Sequence, residues 1–164
     1  MIAEVRGDAT LAWRGRRLRC ALGRGGIGPT KREGDGATPA GALALRRLLY
    51  RADRIGPPPG ALPREPIGAA DGWCDDPAHA DYNRQVTLPH PARCEQLWRN
   101  DHLYDLVGVL GWNDDPAQRG RGSAIFLHVA RDDYAPTEGC VALALPDLLL
   151  LLGEGVTSLL VRAD

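Results

Sequence analysis

The sequence has little excess charge of either sign and no long hydrophobic run. Its 20 lysines and arginines face 21 aspartates and glutamates among 164 residues, which leaves a formal net charge of −1. This balance gives no overall field to hold nucleic acid or an anionic membrane, so neither is an expected partner. No segment approaches about 20 uninterrupted apolar residues, so no membrane span is expected.

The sequence also has no recognisable export signal and only one lysine. Residues 1–10 carry charged side chains and no apolar core, so the sequence predicts no signal peptide. Lys31 is the only lysine, and the other cationic residues are arginines. Genomic base composition explains such a bias as readily as function does, so it points to no partner.

The sequence also lacks the cysteine spacings that hold metals. Cys20, Cys74, Cys94 and Cys140 stand far apart, with no CxxC or Cys/His pattern. The first three are expected to be small buried or loop thiols, and a disulfide among them in an oxidising compartment is the alternative. One histidine and two adjacent carboxylates within residues 75–79 do not specify a metal cage either, so no metal is expected.

Glycine and proline are plentiful, and they mark two irregular segments. Residues 23–36 contain six glycines but not the order of a phosphate-binding loop, so a mobile or close-packed loop is the better interpretation. Residues 56–66 hold five of the 13 prolines and, with residues 67–82, form a long irregular insertion. Such loops are usually lids or binding loops, and Tyr82 is a candidate contact; a solvated loop pinned by Trp73 is the alternative.

Short strands account for most of the remaining chain. Alternating residues near the start predict an antiparallel meander, and residues 103–110 and 156–161 predict two further strands. Residues 41–50 are apolar, but their pattern leaves strand and helix undecided.

Helix signals are few. Residues 91–97 predict one or two helical turns, and a second predicted helix begins at Pro146 and is stopped by Gly153. Between them, residues 111–122 predict a polar loop that is long enough to reach a substrate.

Two apolar runs carry the residues suited to chemistry. Residues 124–130 form a run interrupted only by His128, and a short loop leads through Thr137 and Gly139 to Cys140 at the start of a second run. A histidine at the end of a buried strand can meet a cysteine across such a loop, and a thiol needs this kind of partner to react near neutral pH. The pair is a candidate base and nucleophile.

At these residues the chain resembles the L,D-transpeptidase catalytic domain, also called the YkuD-like family, and in particular its short proteobacterial branch. The family signature is a histidine, a spacer, Ser/Thr-x-Gly-Cys and an apolar residue, here His128, Thr137, Gly139, Cys140 and Val141. The resemblance extends to a Thr-Pro-x-Gly segment within residues 36–41 and to residues 104–107 with Asn113. It implies a mainly β fold, a mixed β-barrel or sandwich with a few short helices, in which residues 1–164 form a single catalytic domain.

The resemblance also implies a reaction. In the family a cysteine attacks an L-to-D peptide bond of a peptidoglycan stem peptide, and the thioester passes to a diaminopimelate amine of a second stem. Cys140 would be the nucleophile and His128 the base, oriented by the backbone carbonyl of Val129. Backbone N–H groups at Gly139 and Cys140 would hold the oxyanion, and the chemistry requires no cofactor.

Departures from the family pattern bear on substrate binding. The spacer before Thr137 is short, Glu138 stands where many members have histidine, and Ala142 replaces a frequent arginine or asparagine. We therefore expect Arg131 to bind a substrate carboxylate, since guanidinium grips carboxylates bidentately; a surface charge paired with a neighbouring aspartate is the alternative. The other candidate contacts are Thr137, which also suits a local role in its turn, Tyr134, Asn113 and Tyr82.

Two other functions stay open. Water as the acceptor would make the protein an L,D-carboxypeptidase or hydrolase, and a degenerate site would make it a non-catalytic peptidoglycan-binding module. The resemblance places the protein in the periplasm or cell envelope; without a signal peptide, a missing leader, an unusual export route and a cytoplasmic substrate are the alternatives. The stem residue attacked, third or first, and the oligomeric state also stay open.

Overall fold

The computed structural model describes residues 1–163, and strands dominate it. The first seven strands are β1 Ile2–Arg6, β2 Thr10–Trp13, β3 Arg16–Arg19, β4 Ile27–Gly28, β5 Thr38–Pro39, β6 Gly41–Tyr50 and β7 Arg64–Pro66. The next seven are β8 Asp71–Cys74, β9 Gln85–Thr87, β10 Cys94–Gln96, β11 Leu106–Leu110, β12 Phe126–Val129, β13 Val141–Leu143 and β14 Ser158–Arg162. The mainly β prediction is confirmed, although the described residues contain one helix, α1 Leu145–Gly153, where several were expected.

Nine strands form one sheet, in the order β13-β12-β11-β6-β14-β1-β2-β3 with β7 beside β6. The long strand β6 joins its two halves, because residues 41–44 pair with β14 and residues 45–50 pair with β11. Beyond the two ends of this order, the backbones of Ala21 and Ala142 exchange N–H···O bonds of 2.8 and 2.9 Å. The sheet therefore curls into a nearly closed barrel.

Alternating side chains along the strands fill the barrel. Ala3 and Val5 of β1 are fully buried, and Leu159 and Val161 of β14 are buried beside them. β1 and β14 run parallel, with Ile2↔Ser158 through Arg6↔Arg162 in register. Because strand side chains alternate between faces, this register places the apolar residues of both strands in one core.

The helix α1 contributes to the same core. Its Leu148 and Leu151 are 1% and 0% exposed, and burial of each such leucine stabilises the fold by about 1.5–3 kcal/mol. Pro146 lies in the first turn and Gly153 is the last helical residue, so the helix predicted between them is confirmed. No helix in residues 1–163 has the length and apolar character needed to cross a membrane.

A separate three-stranded sheet, in the order β10-β8-β9, packs against the barrel through aromatic side chains. Trp73 of β8 meets Phe126 of β12 edge to face, with ring centroids 5.0 Å apart. Tyr104 packs on the same phenylalanine at 5.8 Å. The Trp73 contact holds the small sheet beside β12, the strand that carries His128.

Three local predictions can now be decided. Residues 41–50, left undecided by their pattern, form the strand β6. The helical turns predicted for residues 91–97 are wrong, because β10 pairs antiparallel with β8 there. Residues 56–82 are less irregular than predicted, since β7 and β8 lie within them.

Candidate active site

Two neighbouring strands bring His128 and Cys140 to one cavity. β12 and β13 run parallel with Leu127 opposite Val141, so Cys140, just before β13, lies beside the strand that carries His128. Both side chains line a cavity of about 530 Å³. Both residues are buried, with 5% of His128 and 7% of Cys140 exposed. A nucleophile and a base in these positions would react in a site largely shielded from water.

The imidazole of His128 is held by the next residue of its own strand. Its Nδ1 lies 2.9 Å from the carbonyl oxygen of Val129. Because a carbonyl only accepts hydrogen bonds, Nδ1 carries the proton and Nε2 has a free lone pair. Burial lowers the pKa of His128 to about 4, so the ring is neutral near pH 7. A neutral imidazole of this tautomer can act as a general base through Nε2.

Cys140 is a buried, protonated thiol in this arrangement. Its Sγ donates to the carbonyl oxygen of Ala124 at 3.3 Å and accepts the N–H of Phe126 at 3.4 Å. Burial raises the pKa of Cys140 to about 12, and the negative charge of Glu95 acts in the same direction. The Phe126 N–H and the charge of Lys31 act against this rise. The thiol therefore needs a base at the moment of attack.

Thr137 and Gly139 shape the turn that presents Cys140. The Thr137 hydroxyl donates to the Cys140 carbonyl oxygen at 2.7 Å and accepts the Gly139 N–H at 3.1 Å. Gly139 has a φ of +139°, and a Cβ there would lie 2.8 Å from the Ala37 carbonyl oxygen. Only glycine fits this position. The Gly139 N–H, which was expected to help hold an oxyanion, is bound to the Thr137 hydroxyl in this arrangement.

Comparison with known proteins places this chain in a family. The profile of the L,D-transpeptidase catalytic domain, YkuD, matches residues 3–153. The chain belongs to this family. The family resemblance expected from the His-to-Cys motif is confirmed.

Solved structures that match this YkuD domain include the helical cell shape determining protein Pgp2 from Campylobacter jejuni. The two sequences are 14% identical and the TM-score is 0.39. The match covers 99% of this chain and 47% of that chain, so this chain spans about half the length of that protein. No curated protein matches the sequence.

The glycine-rich loop of the YkuD domain brings a buried lysine to the cavity. Lys31 is 6% exposed, and its Nζ lies 2.5 Å from the Asp35 carboxylate and 3.5 Å from the position of a Cβ at Gly139. The loop is close-packed, since a Cβ at Gly23 would lie 2.1 Å from the Gly36 carbonyl oxygen. The sequence interpretation gave Lys31 no role. The sequence feature that could have pointed to Lys31 is its position as the single lysine, within a glycine-rich segment.

Glu95 and Tyr104 form a second pair that sequence reasoning missed. The Tyr104 hydroxyl donates to the Glu95 carboxylate, and the Tyr104 ring packs edge-on against His128 with centroids 5.3 Å apart. Desolvation raises the pKa of Glu95, and burial raises that of Tyr104. Both residues line the cavity with Cys140. They come from β10 and from the segment before β11, so no motif spacing relates them to the catalytic pair.

Arg131 is one of the expected substrate contacts that the YkuD fold places on the cavity. Within residues 1–163, no carboxylate lies within 4.0 Å of its guanidinium, so the expected alternative of a pair with Asp132 or Asp133 does not form. Thr137 also lines the cavity, although its hydroxyl is engaged in the turn. The nearby Glu138 carboxylate pairs with Arg24 at 3.1 Å.

Three other expected contacts, Tyr82, Asn113 and Tyr134, are not among the residues that line the cavity. The Tyr82 hydroxyl donates to Glu33 at 2.7 Å, so it supports a residue of the cavity wall without lining the wall itself. The Asn113 side-chain amide donates to two backbone carbonyls of its own loop, each at 2.9 Å. The Tyr134 ring lies 4.3 Å from the guanidinium carbon of Arg19. All three stabilise segments that surround the site.

Proposed function

We propose that this domain is a cysteine-dependent L,D-transpeptidase that cross-links peptidoglycan stem peptides, with the whole chain acting as one catalytic domain in the cell envelope. The observation that carries the proposal is a single cavity lined by both the Cys140 thiol and the His128 imidazole, whose Nδ1 is fixed on the Val129 carbonyl. A nucleophile and its general base need this placement. Membership of the YkuD family supplies the class of substrate.

In the first half-reaction, the sulfur of Cys140 attacks the carbonyl carbon of an L-to-D peptide bond in the donor stem. Nε2 of His128 takes the thiol proton as the new C–S bond forms. The tetrahedral intermediate then collapses, the C–N bond breaks, and the imidazolium returns the proton to the departing D-amino acid. With a thiol pKa of about 12 and an imidazole pKa of about 4, proton transfer accompanies the attack and does not precede it.

In the second half-reaction, an amine of the acceptor stem attacks the thioester carbonyl. His128 accepts the proton of the amine, the C–S bond breaks, and the imidazolium protonates the released Cys140 thiolate. The product is a new peptide bond between two stems. Water in place of the amine gives a shortened stem through the same residues, which is the hydrolase alternative.

The oxyanion of each intermediate needs nearby positive charge or hydrogen-bond donors. The Gly139 N–H is bound to Thr137 Oγ1, so we assign the Cys140 N–H to the oxyanion. The Lys31 ammonium adds positive potential from the same cavity wall. Because Lys31 is buried, solvent screens this charge less than it would screen a surface lysine.

Charges of both signs around the cavity suit a stem peptide, which carries both amines and carboxylates. The charged lining residues are Lys31, Arg93, Arg99, Arg131, Glu33, Asp75, Glu95 and Glu138. Arg93 pairs with Asp75 at 3.1 Å, and Arg99 pairs with Asp101 at 2.6 Å. Arg131 has no carboxylate partner within residues 1–163, so it is the arginine best placed to receive a substrate carboxylate.

The test is incubation of the purified chain with disaccharide-tetrapeptides, followed by mass spectrometry of the products. We expect a cross-linked dimer from the unmodified chain and none from the Cys140→Ala variant. Fragmentation of the dimer identifies the two residues joined and so fixes the donor position. Shortened monomers without dimers would establish the hydrolase, and the absence of any product that depends on Cys140 would overturn catalysis on this substrate and favour a binding role.

The assignment of Arg131 has its own control. Arg131→Ala should raise the apparent KM for the tetrapeptide while kcat changes less, because the lost contact is made before the chemical step. Arg17→Ala, a change of an exposed arginine that pairs with Asp8 far from the cavity, should leave both constants unchanged. An unaltered KM in Arg131→Ala would remove the proposed contact.

A further inference from the structure

A second group of reactive side chains lies in the three-stranded sheet, apart from the catalytic pair. In the antiparallel register of β8 and β10, Cys94 lies directly opposite Cys74. His90 comes from the loop between β9 and β10. One ligating atom from each of these three residues lies within 4.8 Å of the other two. Three metal-binding side chains that are separate in sequence therefore converge.

More donors border this group and share His90. Nε2 of His90 lies 2.9 Å from the Asp81 carboxylate, and Nδ1 accepts the Ala92 N–H at 3.1 Å. The rings of His79 and His90 have centroids 4.8 Å apart, and the ligating atoms of His79, Asp81 and His90 also lie within 4.8 Å of one another. A carboxylate bound to a ligating histidine is the usual means of orienting its ring.

We propose that Cys74, Cys94 and His90 bind a zinc ion, whose fourth position faces the His79 and Asp81 side of the cluster. Thiolate and imidazole are the ligands that zinc prefers, with tetrahedral bonds of about 2.0–2.3 Å that place ligand atoms roughly 3.3–3.8 Å apart. Because the ligating atoms lie within 4.8 Å of one another, no pair has to close by more than about 1.5 Å to reach these values. The ion replaces the hydrogen bond at one His90 nitrogen, and both thiols release their protons to solvent.

The surroundings of the two thiols favour a metal over a disulfide. A disulfide uses two sulfur atoms alone, whereas here the His90 imidazole lies within 4.8 Å of both, and His79 and Asp81 lie against His90. Cys74 is 0% exposed and the His90 side chain is 11% exposed, so a bound ion would be largely shielded from water. Such shielding is typical of a structural zinc site.

The ion would also fix one wall of the catalytic cavity. Asp75 follows one proposed ligand, Arg93 and Glu95 flank another, and all three line the cavity. Zinc binding here does not rest on the proposed acyl transfer, because neither Cys140 nor His128 takes part in it.

The test measures zinc in the full chain, expressed without a polyhistidine tag and purified under reducing conditions. We expect about one zinc per chain by elemental mass spectrometry, and a sulfur-to-cobalt charge-transfer band after replacement by Co²⁺. Cys94→Ser and His90→Ala should each lower zinc affinity at least about tenfold. Cys20→Ala and Cys140→Ala, which remove cysteines outside the cluster, should keep the full zinc content.

Measurements on the unmodified chain decide the matter even if the variants fail to fold. A chain refolded with excess Zn²⁺ and then dialysed that retains less than about a tenth of an equivalent would overturn the site. A Cys74–Cys94 disulfide in zinc-free protein that is isolated separately without reductant would overturn it as well. Full zinc content in a folded variant that combines Cys94→Ser with His90→Ala would place the metal elsewhere and also refute the assignment.

Discussion

The Nδ1 atom of His128 lies 2.9 Å from the carbonyl oxygen of Val129, the next residue in the chain. The strand itself thereby sets the tautomer of the base, with no carboxylate or amide side chain in that role. A backbone carbonyl carries no full negative charge to stabilise an imidazolium, and burial disfavours the charged ring further. The proposed catalytic pair is consequently neutral before substrate binds, and the effects of this neutrality on reactivity and stability can be measured.

The thiol of Cys140 should react with iodoacetamide at a rate that climbs with pH and shows no plateau. Because its pKa is raised to about 12, the thiolate fraction grows about tenfold for each pH unit between pH 6 and pH 9. The measurement is the alkylation rate of the Cys140 peptide by mass spectrometry, with Cys140→Ala as the blank. A plateau near neutral pH would reveal a preformed thiolate–imidazolium pair and contradict the neutral pair.

Burial of His128 should make the fold less stable in mild acid. An ordinary histidine side chain has a pKa of 6.5, and burial lowers the pKa of His128 to about 4, so between these values the unfolded chain binds a proton that the folded chain does not. Stability therefore falls as pH falls from about 6.5 to about 4, by about 3 kcal/mol in total.

Urea unfolding at pH 7 and pH 5 checks this effect. Between those pH values the unmodified chain should lose about 2 kcal/mol more than a His128→Gln variant, since glutamine does not titrate. Equal losses in the two chains would show that the imidazole is protonated as easily in the folded state as in the unfolded state.

Gly139→Ala should both destabilise the fold and abolish activity. The new Cβ would lie 2.8 Å from the Ala37 carbonyl oxygen at a φ of +139°, so the turn that presents Cys140 has to move. We expect a loss of about 3 kcal/mol or more in thermal unfolding, together with a loss of cross-linking of at least about 100-fold.

Gly15→Ala is the matched control for that change. Gly15 also has a positive φ, +78°, but a Cβ there would meet no atom within 4 Å. Only the backbone strain of about 1 kcal/mol is then expected, with activity intact. Equal effects of the two substitutions on thermal unfolding and activity would show that the short distance between a Cβ at Gly139 and the Ala37 carbonyl oxygen has no special role.

Lys31→Met should make Cys140 less reactive. The lysine charge lowers the thiol pKa, so its removal should reduce the alkylation rate at pH 8 by about threefold to tenfold, while Lys31→Arg keeps most of the rate. Thermal unfolding of both variants separates this effect from a loss of structure. Alkylation of a folded Lys31→Met variant at the original rate would show that the lysine does not act on the nucleophile.

Glu95→Gln should change the reactivity of Cys140 in the opposite direction. The Glu95 charge raises the thiol pKa, and an amide can still accept the hydrogen bond from Tyr104. Alkylation should be several-fold faster in the variant. A rate equal to that of the unmodified chain would contradict the electrostatic link between the two residues.

The proposed catalytic pair could be predicted from the sequence because its signal is local. His128 and Cys140 are separated by a single loop, and the glycine before the cysteine has a backbone reason to be there. The proximity of Lys31 and Glu95 to Cys140 could not be predicted from the sequence. For Lys31 it depends on the path of the glycine-rich loop, and for Glu95 it depends on how the small sheet packs against the barrel. Tyr82, Asn113 and Tyr134 show why substrate contacts are hard to assign from sequence, since a polar side chain in a loop can stabilise that loop as well as bind a ligand.

The fold class could likewise be predicted, whereas the pairing of strands could not. Turn signals and alternation indicated short strands, and the signals at Pro146 and Gly153 marked the helix. The helical turns expected over residues 91–97 gave way to β10 because tertiary pairing with β8 outweighed a weak local preference. The same pairing brings Cys94 opposite Cys74, a proximity that linear spacing between the two cysteines did not reveal.

The parallel pairing of β1 with β14 bears on how the protein is made. β1 is synthesised about 150 residues before β14, and the edge of β1 that pairs with β14 stays unpaired until residues 158–162 have been synthesised. Bringing β1 and β14 together has a large entropic cost that precedes the stabilising contacts between them. The barrel therefore assembles late and not segment by segment. Until then the edges of β1 and β6 that pair with β14 are open, and open strand edges can pair with other chains.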